Sequence, residues 1–281
     1  IFDVVMVGSG PAAFFAAVKL IRLLPDIKIA ILEKSSDLGG SGARSDGKLT
    51  KDPTGRVGGY LFSEKLIEES HYLALMDDVE ALYVEYGGNR DRMFGYDDKN
   101  AATVRSLQQT ARENSCELHT FPITHLGTDT AQQIVNNVFE FLRSKGVAIF
   151  TETMAIKTLP NIHNGLHGVV ATNCDREHYF AAAHIIVAPG RSGSRQTQEM
   201  LSEVGVEVVE GKADIGVRVE SANSHLKTAT DIVYEFKCYT DVVTSDGHVG
   251  CRTFCMCPNG WVSVEKPKHV SDAQYQIANG H

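Results

Sequence analysis

The sequence predicts an α/β protein: a parallel sheet carrying a β-meander, followed by a second, mainly antiparallel β domain. Three observations predict it. An apolar run of β-formers at the start ends at a glycine turn and a helix. A second apolar run ends in an acid about 20 residues beyond the glycines. From about Val206 the texture changes to β-branched segments.

The opening run Phe2-Asp3-Val4-Val5-Met6-Val7 has no polar alternation after Asp3, which suits a central parallel strand covered on both faces. Gly8-Ser9-Gly10-Pro11-Ala12-Ala13 then fits G-x-G-x-x-A. In this pattern Gly8 permits a tight turn, Gly10 lets a pyrophosphate approach the backbone, and Ala13 allows close packing of helix on strand. Pro11 to Leu24 reads as a helix, with proline in the first turn, Ala17, Val18, Ile21 and Leu24 in its apolar set, and Pro25 as its stop. Ile27 to Leu32 is the second strand, and Glu33 closes it where a carboxylate can accept hydrogen bonds from ribose hydroxyls and repel a 2′-phosphate. Strand, glycine turn, helix, strand and acid together spell a dinucleotide-binding unit of the Rossmann type. A plain α/β domain with a tight turn shares only part of that pattern.

The rest of the first domain follows. Residues 35–50, rich in glycine and small polar side chains, read as a loop that wraps a cofactor, with Gly40, Ser41, Ser45, Asp46 and Lys48 as polar or backbone contacts. Residues 63–115 read as a helical insertion, with helices at Glu64 to Leu75 and Ala101 to Asn114. Thr128 opens a helix to about Lys145, whose face carries Ile134, Val135, Val138, Phe139 and Leu142 and whose stop is Gly146. Val147 to Phe150 is the next parallel strand. Thr153 to Leu159, His167 to Thr172 and Glu177 to Phe180 form the meander, and His184 to Val187 returns to the parallel sheet, ending at Ala188-Pro189-Gly190. These elements assign residues 1–205 to the first domain and 206–281 to the start of a second, with strands at Ile215 to Glu220, Asp231 to Tyr239 and Val262 to Glu265.

Composition excludes several function classes. With 27 basic residues against 35 acidic, the net charge is −8, and no basic stripe draws the chain to nucleic acid. No apolar run approaches the roughly 20 residues needed to cross a bilayer. Six cysteines without a signal-peptide pattern suit reduced thiols and a cytoplasmic location. The chain opens at Ile1, so an upstream segment is expected to have been trimmed, and a targeting sequence could have gone with it. Cys251, Cys255 and Cys257 have C-x-x-x-C-x-C spacing, unlike the paired C-x-x-C of common zinc sites, so no metal is assigned. On a strand, Cys255 and Cys257 would share one face as packed thiols, with a redox role for either still open. Eleven histidines include His119 and His125 as acid or base candidates that position alone does not place.

Several segments carry a family resemblance. Asp3 to Ala13 with Leu32-Glu33-Lys34 is shared by many flavoproteins. More specific are Ser45-Asp46-Gly47-Lys48-Leu49-Thr50, Leu126-Gly127-Thr128-Asp129, Ala188-Pro189-Gly190-Arg191-Ser192-Gly193, Asp214 to Glu220 and Arg252 to Gly260. The chain resembles the FAD-dependent dehydrogenases, oxidoreductases of the glutathione-reductase-like flavoprotein superfamily. That resemblance implies an FAD cofactor with Gly8, Ser9, Gly10, Pro11, Ala12 and Ala13 around its pyrophosphate. It further implies Glu33 and Lys34 at the ribose, Ala155 by its backbone near adenine, and Ala188 and Gly190 toward the flavin. Arg218, Glu220 and Arg252 become substrate candidates, since an arginine fork can hold a carboxylate, although an internal ion pair explains an arginine and a glutamate equally well. The resemblance also implies a C-terminally truncated member, because such flavoproteins return from the second domain to the first and this chain stops at His281. No second strand–glycine turn–helix unit is present for NAD(P)H: Gly40-Ser41-Gly42 lies in a loop, and Gly190 to Gly193 has other spacing. The expected activity is hydride transfer between a small-molecule substrate and flavin, with an electron acceptor the sequence does not identify, acting without nucleic acid or membrane. The alternative is a flavin-dependent RNA-modifying or non-redox FAD-binding protein, which an acidic chain without a basic stripe disfavours.

Overall fold

A computed structural model describes residues 1–89, 93–95, 98–209, 215–245, 247–260, 262–265 and 277–280. In chain order the strands are β1 (Phe2–Val7), β2 (Ile29–Leu32), β3 (Lys48–Thr50), β4 (Met93–Phe94), β5 (Glu117–Thr120), β6 (Ile123–His125), β7 (Ala148–Phe150), β8 (Met154–His163), β9 (Leu166–Asn173), β10 (Arg176–Val187), β11 (Phe236–Thr244), β12 (Gly247–Arg252), β13 (Val262–Glu265) and β14 (Ile277–Gly280). The helices are α1 (Pro11–Leu23), α2 (Tyr60–Ser63), α3 (Glu69–Glu85), α4 (Ala101–Glu113), α5 (Thr128–Ser144), α6 (Ser194–Ser202) and α7 (Lys227–Val233). They divide into two compact units, each discontinuous in sequence.

The first unit comprises Ile1–Ser45, Glu85–Gly88 and Thr128–Asp214. Its sheet has the order β7-β2-β1-β10-β9-β8. The pairs β7–β2, β2–β1 and β1–β10 are parallel, and β10–β9 and β9–β8 are antiparallel. It is therefore a mixed sheet within an α/β arrangement. Val4 to Val7 and all of β2 are buried, as strands covered on both faces must be. Val5, Val7, Ala30 and Leu32 form one cluster with Ala155, Val169, Ala171, Ala182 and Met200 of α6. By strand alternation Val4, Met6, Ile29 and Ile31 face the other side. Helices α1 and α5 pack on each other through the edge-on pair Phe14 and Phe139, rings 5.8 Å apart. Full burial of each such side chain is worth about 1.5–3 kcal/mol.

The meander follows turn chemistry. Asn164 and Gly165 both have positive φ and join β8 to β9 across the pair His163 and Leu166, the two-residue turn whose twist matches the strands. Cys174 and Asp175 do the same between β9 and β10, without a glycine to relieve the strain.

The second unit comprises Asp46–Val84, Asn89–Gly127 and Ile215–His281. Among the described residues its strands form three antiparallel sheets, β3-β6-β4, β12-β11-β5 and β13-β14. A core of Ala229, Val233 and Phe236 is lined by Val104, Leu107, Leu118, Ile232, Cys238 and Met256. Residues 46–84 and 89–127, read from sequence as part of the first domain, thus group with the residues after Ile215. The insertion at 63–115 includes the strand β4 as well as helices.

Several elements differ from the reading: Glu177 to Phe180 and His184 to Val187, read as two strands, are the single strand β10, and Lys48 to Thr50, read as loop, is β3. Glu64 to Leu75 is not one helix: α2 ends at Ser63, Lys65 takes a positive φ, and α3 begins at Glu69. Ile215 to Glu220 forms no strand, and Ile215 and Val217 are 92% and 90% exposed. Its alternation is real, but the β-branched side chains face outward and Arg218 is the half-buried member. Asp231 to Tyr239 is helix α7 through Val233, then strand from Phe236, the break falling at Tyr234 with φ 58°.

Candidate functional site

In the first unit, β1 lies between β2 and β10: the chain runs outward from β1 through β2 to β7, then returns through β8 and β9 to β10 on the other side of β1. Such a reversal opens a crevice beyond the carboxyl ends of the strands. The glycine turn follows β1 at that edge, and Ala188-Pro189-Gly190 follows β10 beside it. Gly8 donates to Leu32 O at 2.8 Å and Ala188 donates to Val7 O at 2.8 Å, which extends both ladders into the turns.

The two glycines of the turn serve different ends. Gly8 has φ 99°, and a Cβ there would sit 2.3 Å from Ala188 O, so the fold itself demands glycine. Gly10 has φ −72°, ordinary for any residue, and a Cβ on it would meet nothing within 4 Å. The bare backbone at Gly10 faces open space at the first turn of α1, where peptide dipoles favour an anion. Pro11 occupies the first helical position, and Ala13, fully buried, allows the helix to lie close. Ala12 is exposed. The loop after β2 lies against this turn. A Cβ on Gly40 would be 3.5 Å from Gly10 Cα, and one on Gly42 only 2.6 Å from Pro11. Ser41, between them, is exposed.

Glu33 is buried at the end of β2. One carboxylate oxygen accepts from the Ser9 amide (3.1 Å) and hydroxyl (2.6 Å); the other accepts from the Ser35 amide (2.9 Å) and hydroxyl (3.0 Å). Ser9 Oγ in turn accepts from the Gly39 amide at 3.1 Å. Glu33 therefore ties the glycine turn to the following loop, a role its sequence position did not reveal. Thr153 donates its amide to Glu33 O at 2.8 Å, and Ala155, two residues further, pairs with Ala171 and is buried. Lys34 Nζ reaches Ser192 O at 2.8 Å, close in sequence to Gly190, which has φ 64°. Beside Ser35 a cleft of 650 Å³ opens between residues 35–44 and α5, with Gln132, Gln133 and Asn136 on the helix side.

In the second unit a dense polar cluster surrounds Lys48. Its Nζ lies 2.7 Å from Glu235 Oε2, 2.7 Å from Cys255 Sγ, 2.8 Å from Met256 O and 3.5 Å from Asp46 Oδ2. Cys257 Sγ donates to Asp46 Oδ2 at 3.4 Å. The chain carrying Cys255 is held by three cations: Lys237 donates to Phe254 O, Arg218 to Cys255 O at 2.9 Å, and Lys48 to Met256 O. Lys237 also donates to Glu235. Residues 253–257 form no strand, contrary to the strand expected to carry Cys255 and Cys257, and side-chain cations bind their carbonyls instead, yet the two thiols still lie side by side. A hydrogen bond from Cys257, opposed by burial and aided by the Lys48 charge, lowers the Cys255 thiol to about 6. The bond to Cys255 and burial raise Cys257. Burial opposes charge on Lys48, but Glu235 and Cys255 outweigh it and hold the ammonium protonated.

The remaining candidates separate. Glu220 is exposed. Arg252 is exposed, with its guanidinium over the Phe254 ring at 5.1 Å. Ser45 is half-buried at the end of the first unit. His125 stacks on Tyr234 and lies 3.0 Å from its hydroxyl. His119 Nε2 lies 3.0 Å from Asp52, whose buried carboxylate also accepts from Thr54 and Val57. Burial would raise Asp52, but the hydrogen bonds from His119 and Thr54 prevail and lower it. The sequence reading missed Asp52, Glu235 and Lys237. The signal for Glu235 and Lys237 was charge flanking Phe236 in an otherwise apolar segment, whereas Asp52 stands in the polar run Thr50 to Arg56 and carried no such signal. Among the described residues no cluster of three or more His, Cys, Asp or Glu is arranged to hold a metal, and no helix is long and apolar enough to cross a membrane.

No family model matches the chain, and no curated protein matches it. Solved structures do show likeness. The L-amino acid deaminase from Proteus vulgaris is 16% identical over 74% of this chain and 50% of its own, with a TM-score of 0.47. The glycine oxidase from Geobacillus kaustophilus is 16% identical over 73% of this chain and 59% of its own, with a TM-score of 0.44. The amino acid oxidase NikD is 14% identical over 73% of this chain and 54% of its own, with a TM-score of 0.41. The chain spans about half the length of the deaminase. At these identities and TM-scores, neither substrate nor cofactor passes from these proteins to this chain.

Proposed function

We propose that the chain binds FAD through its first unit and belongs to an oxidoreductase that transfers a hydride between a small-molecule substrate and the flavin. One observation carries this reading: at the sheet's reversal point the fold requires glycine at Gly8 but not at Gly10, and the space a Gly10 side chain would fill lies open at a helix N-terminus. A pyrophosphate fits that space by its size and charge. Gly8, Ser9, Gly10, Pro11, Ala12 and Ala13 would surround it, with Gly40 and Ser41 approaching from the next loop.

Glu33 suits a ribose. Two of its four hydrogen-bond donors are serine hydroxyls, which can rotate away while the Ser9 and Ser35 amides stay in place. A ribose diol would then take the vacated acceptor positions, with Lys34 beside it. Ala155 would pass its backbone along the adenine, and Ala188 and Gly190 would meet the flavin end. When bound, FAD supplies the two-electron chemistry; the chain supplies the cradle, the ribose acceptor and the buried sheet that fixes both.

An absorption spectrum of the purified protein, before and after denaturation, with the released compound identified by chromatography, tests this. FAD in stoichiometric amount is the expected result. Absence of flavin from the protein, together with no uptake of added FAD, would contradict the reading; a released nicotinamide dinucleotide would replace it.

A further inference from the structure

The sulfur cluster of the second unit has chemistry of its own, independent of the flavin reading. Three features set Cys255 apart from Cys174 and Cys251, which are exposed. Its sulfur sits 2.7 Å from a lysine ammonium that burial and Glu235 hold in place. Its peptide segment is held by Lys237, Arg218 and Lys48 on three successive carbonyls, which anchors the backbone bearing the sulfur beside that cation. Its neighbour Cys257 is also half-buried rather than sealed, and hydrogen-bonds to Asp46, a carboxylate able to accept a thiol proton. A fixed cation beside one thiol and a proton acceptor beside the next is the division of labour a dithiol centre needs.

We propose that Cys255 and Cys257 form a redox-active dithiol whose substrate class is a small-molecule disulfide, with Cys255 as the attacking thiolate and Cys257 as the resolving thiol. In the first step Cys255 Sγ attacks one sulfur of R–S–S–R; the Cys255–S–S–R bond forms, the R–S–S–R bond breaks, and one R–S⁻ leaves. In the second, Cys257 Sγ loses its proton toward Asp46 and attacks Cys255 Sγ, displacing the second R–S⁻. The two thiolates leave as R–SH once protonated. The dithiol gives up two electrons and becomes the Cys255–Cys257 disulfide, and the substrate disulfide gains them.

Facing Cys255 are Lys48, Glu235 and Cys257, with Asp46, Tyr234 and Lys237 around these. Lys48 favours the thiolate and Glu235 opposes it, so the lysine is the group to remove. Peptide-resolved alkylation by iodoacetamide across a pH series should give Cys255 a midpoint near 6. At pH near that midpoint, Cys255 should react about tenfold faster than Cys174 or Cys251, the gain in thiolate fraction being partly offset by lower nucleophilicity. Lys48→Met should move the Cys255 midpoint up toward the ordinary value of about 8.5. With oxidised glutathione as the probe, the wild-type protein should end with a Cys255–Cys257 disulfide and no retained glutathione, whereas Cys257→Ser should stop at glutathione on Cys255. Equal midpoints for Cys255, Cys174 and Cys251 in the wild-type protein would overturn the proposal. So would glutathione left on wild-type Cys255 with no link to Cys257. These wild-type measurements decide the matter even if a variant fails to fold, and they read the thiols whether or not FAD is bound.

Discussion

The two units build their candidate sites by opposite means. In the first, the site is made of backbone: glycines and a helix end placed by a sheet whose strands are continuous apolar runs, with Glu33 as its buried carboxylate. In the second, the site is made of side chains, with Glu235 and Lys237 buried and Lys48 nearly so, and a separate buried carboxylate, Asp52, holds His119 and Thr54. A backbone site is robust to most side-chain changes and intolerant at a few glycines. A site of buried charges fails whenever one partner is removed, because the other is left uncompensated.

That contrast can be broken at four positions. The largest effect is expected at Gly8: Gly8→Ala places a methyl against Ala188 O at a φ alanine avoids, and should cost about 3 kcal/mol or more in denaturant unfolding. Next, Asp52→Asn in the second unit should cost about 2 kcal/mol, because it removes a buried carboxylate that serves His119, Thr54 and Val57. The Asp52 carboxyl is held below its ordinary range, so its stabilisation is complete above a pH of about 4 and is lost as pH falls through the lowered folded value. Acid titration of the melting temperature should show that loss in the wild-type protein and not in the variant. A smaller effect of opposite sign belongs to Cys174→Gly, which relieves a positive φ in the β9–β10 turn and should stabilise by about 0.5–1 kcal/mol. The smallest is Gly10→Ala, expected to change stability by less than about 0.5 kcal/mol, since neither backbone angle nor neighbour objects.

The same contrast decides what the sequence could show. The parallel strands, α1, α5 and the meander were legible because each is a local pattern: an apolar run, a 3.6-residue stripe, or a pair such as Asn164-Gly165. The places of Gly8 and Gly10 in the turn after β1 and of Glu33 at the end of β2 were legible for the same reason, although Glu33's grip on Ser9 and Ser35 was not. The Lys48 cluster was not legible as a cluster. Lys48, Glu235 and Cys255 come from segments with no shared period, and only the long-range closure of the second unit brings them within 2.7 Å. The segment 215–220 misled because exposed β-branched residues alternate as a strand does, with Arg218 turned inward to a carbonyl.

Whether the open space at Gly10 is a ligand's and not the fold's is decided by FAD affinity, measured by fluorescence quenching, for the wild-type protein and Gly10→Ala, alongside their melting temperatures. Near-equal melting of the two cofactor-free proteins is expected, with affinity at least about tenfold weaker in the variant, the loss of some 1.4 kcal/mol. Equal affinities at equal stability would show that the glycine turn holds no pyrophosphate.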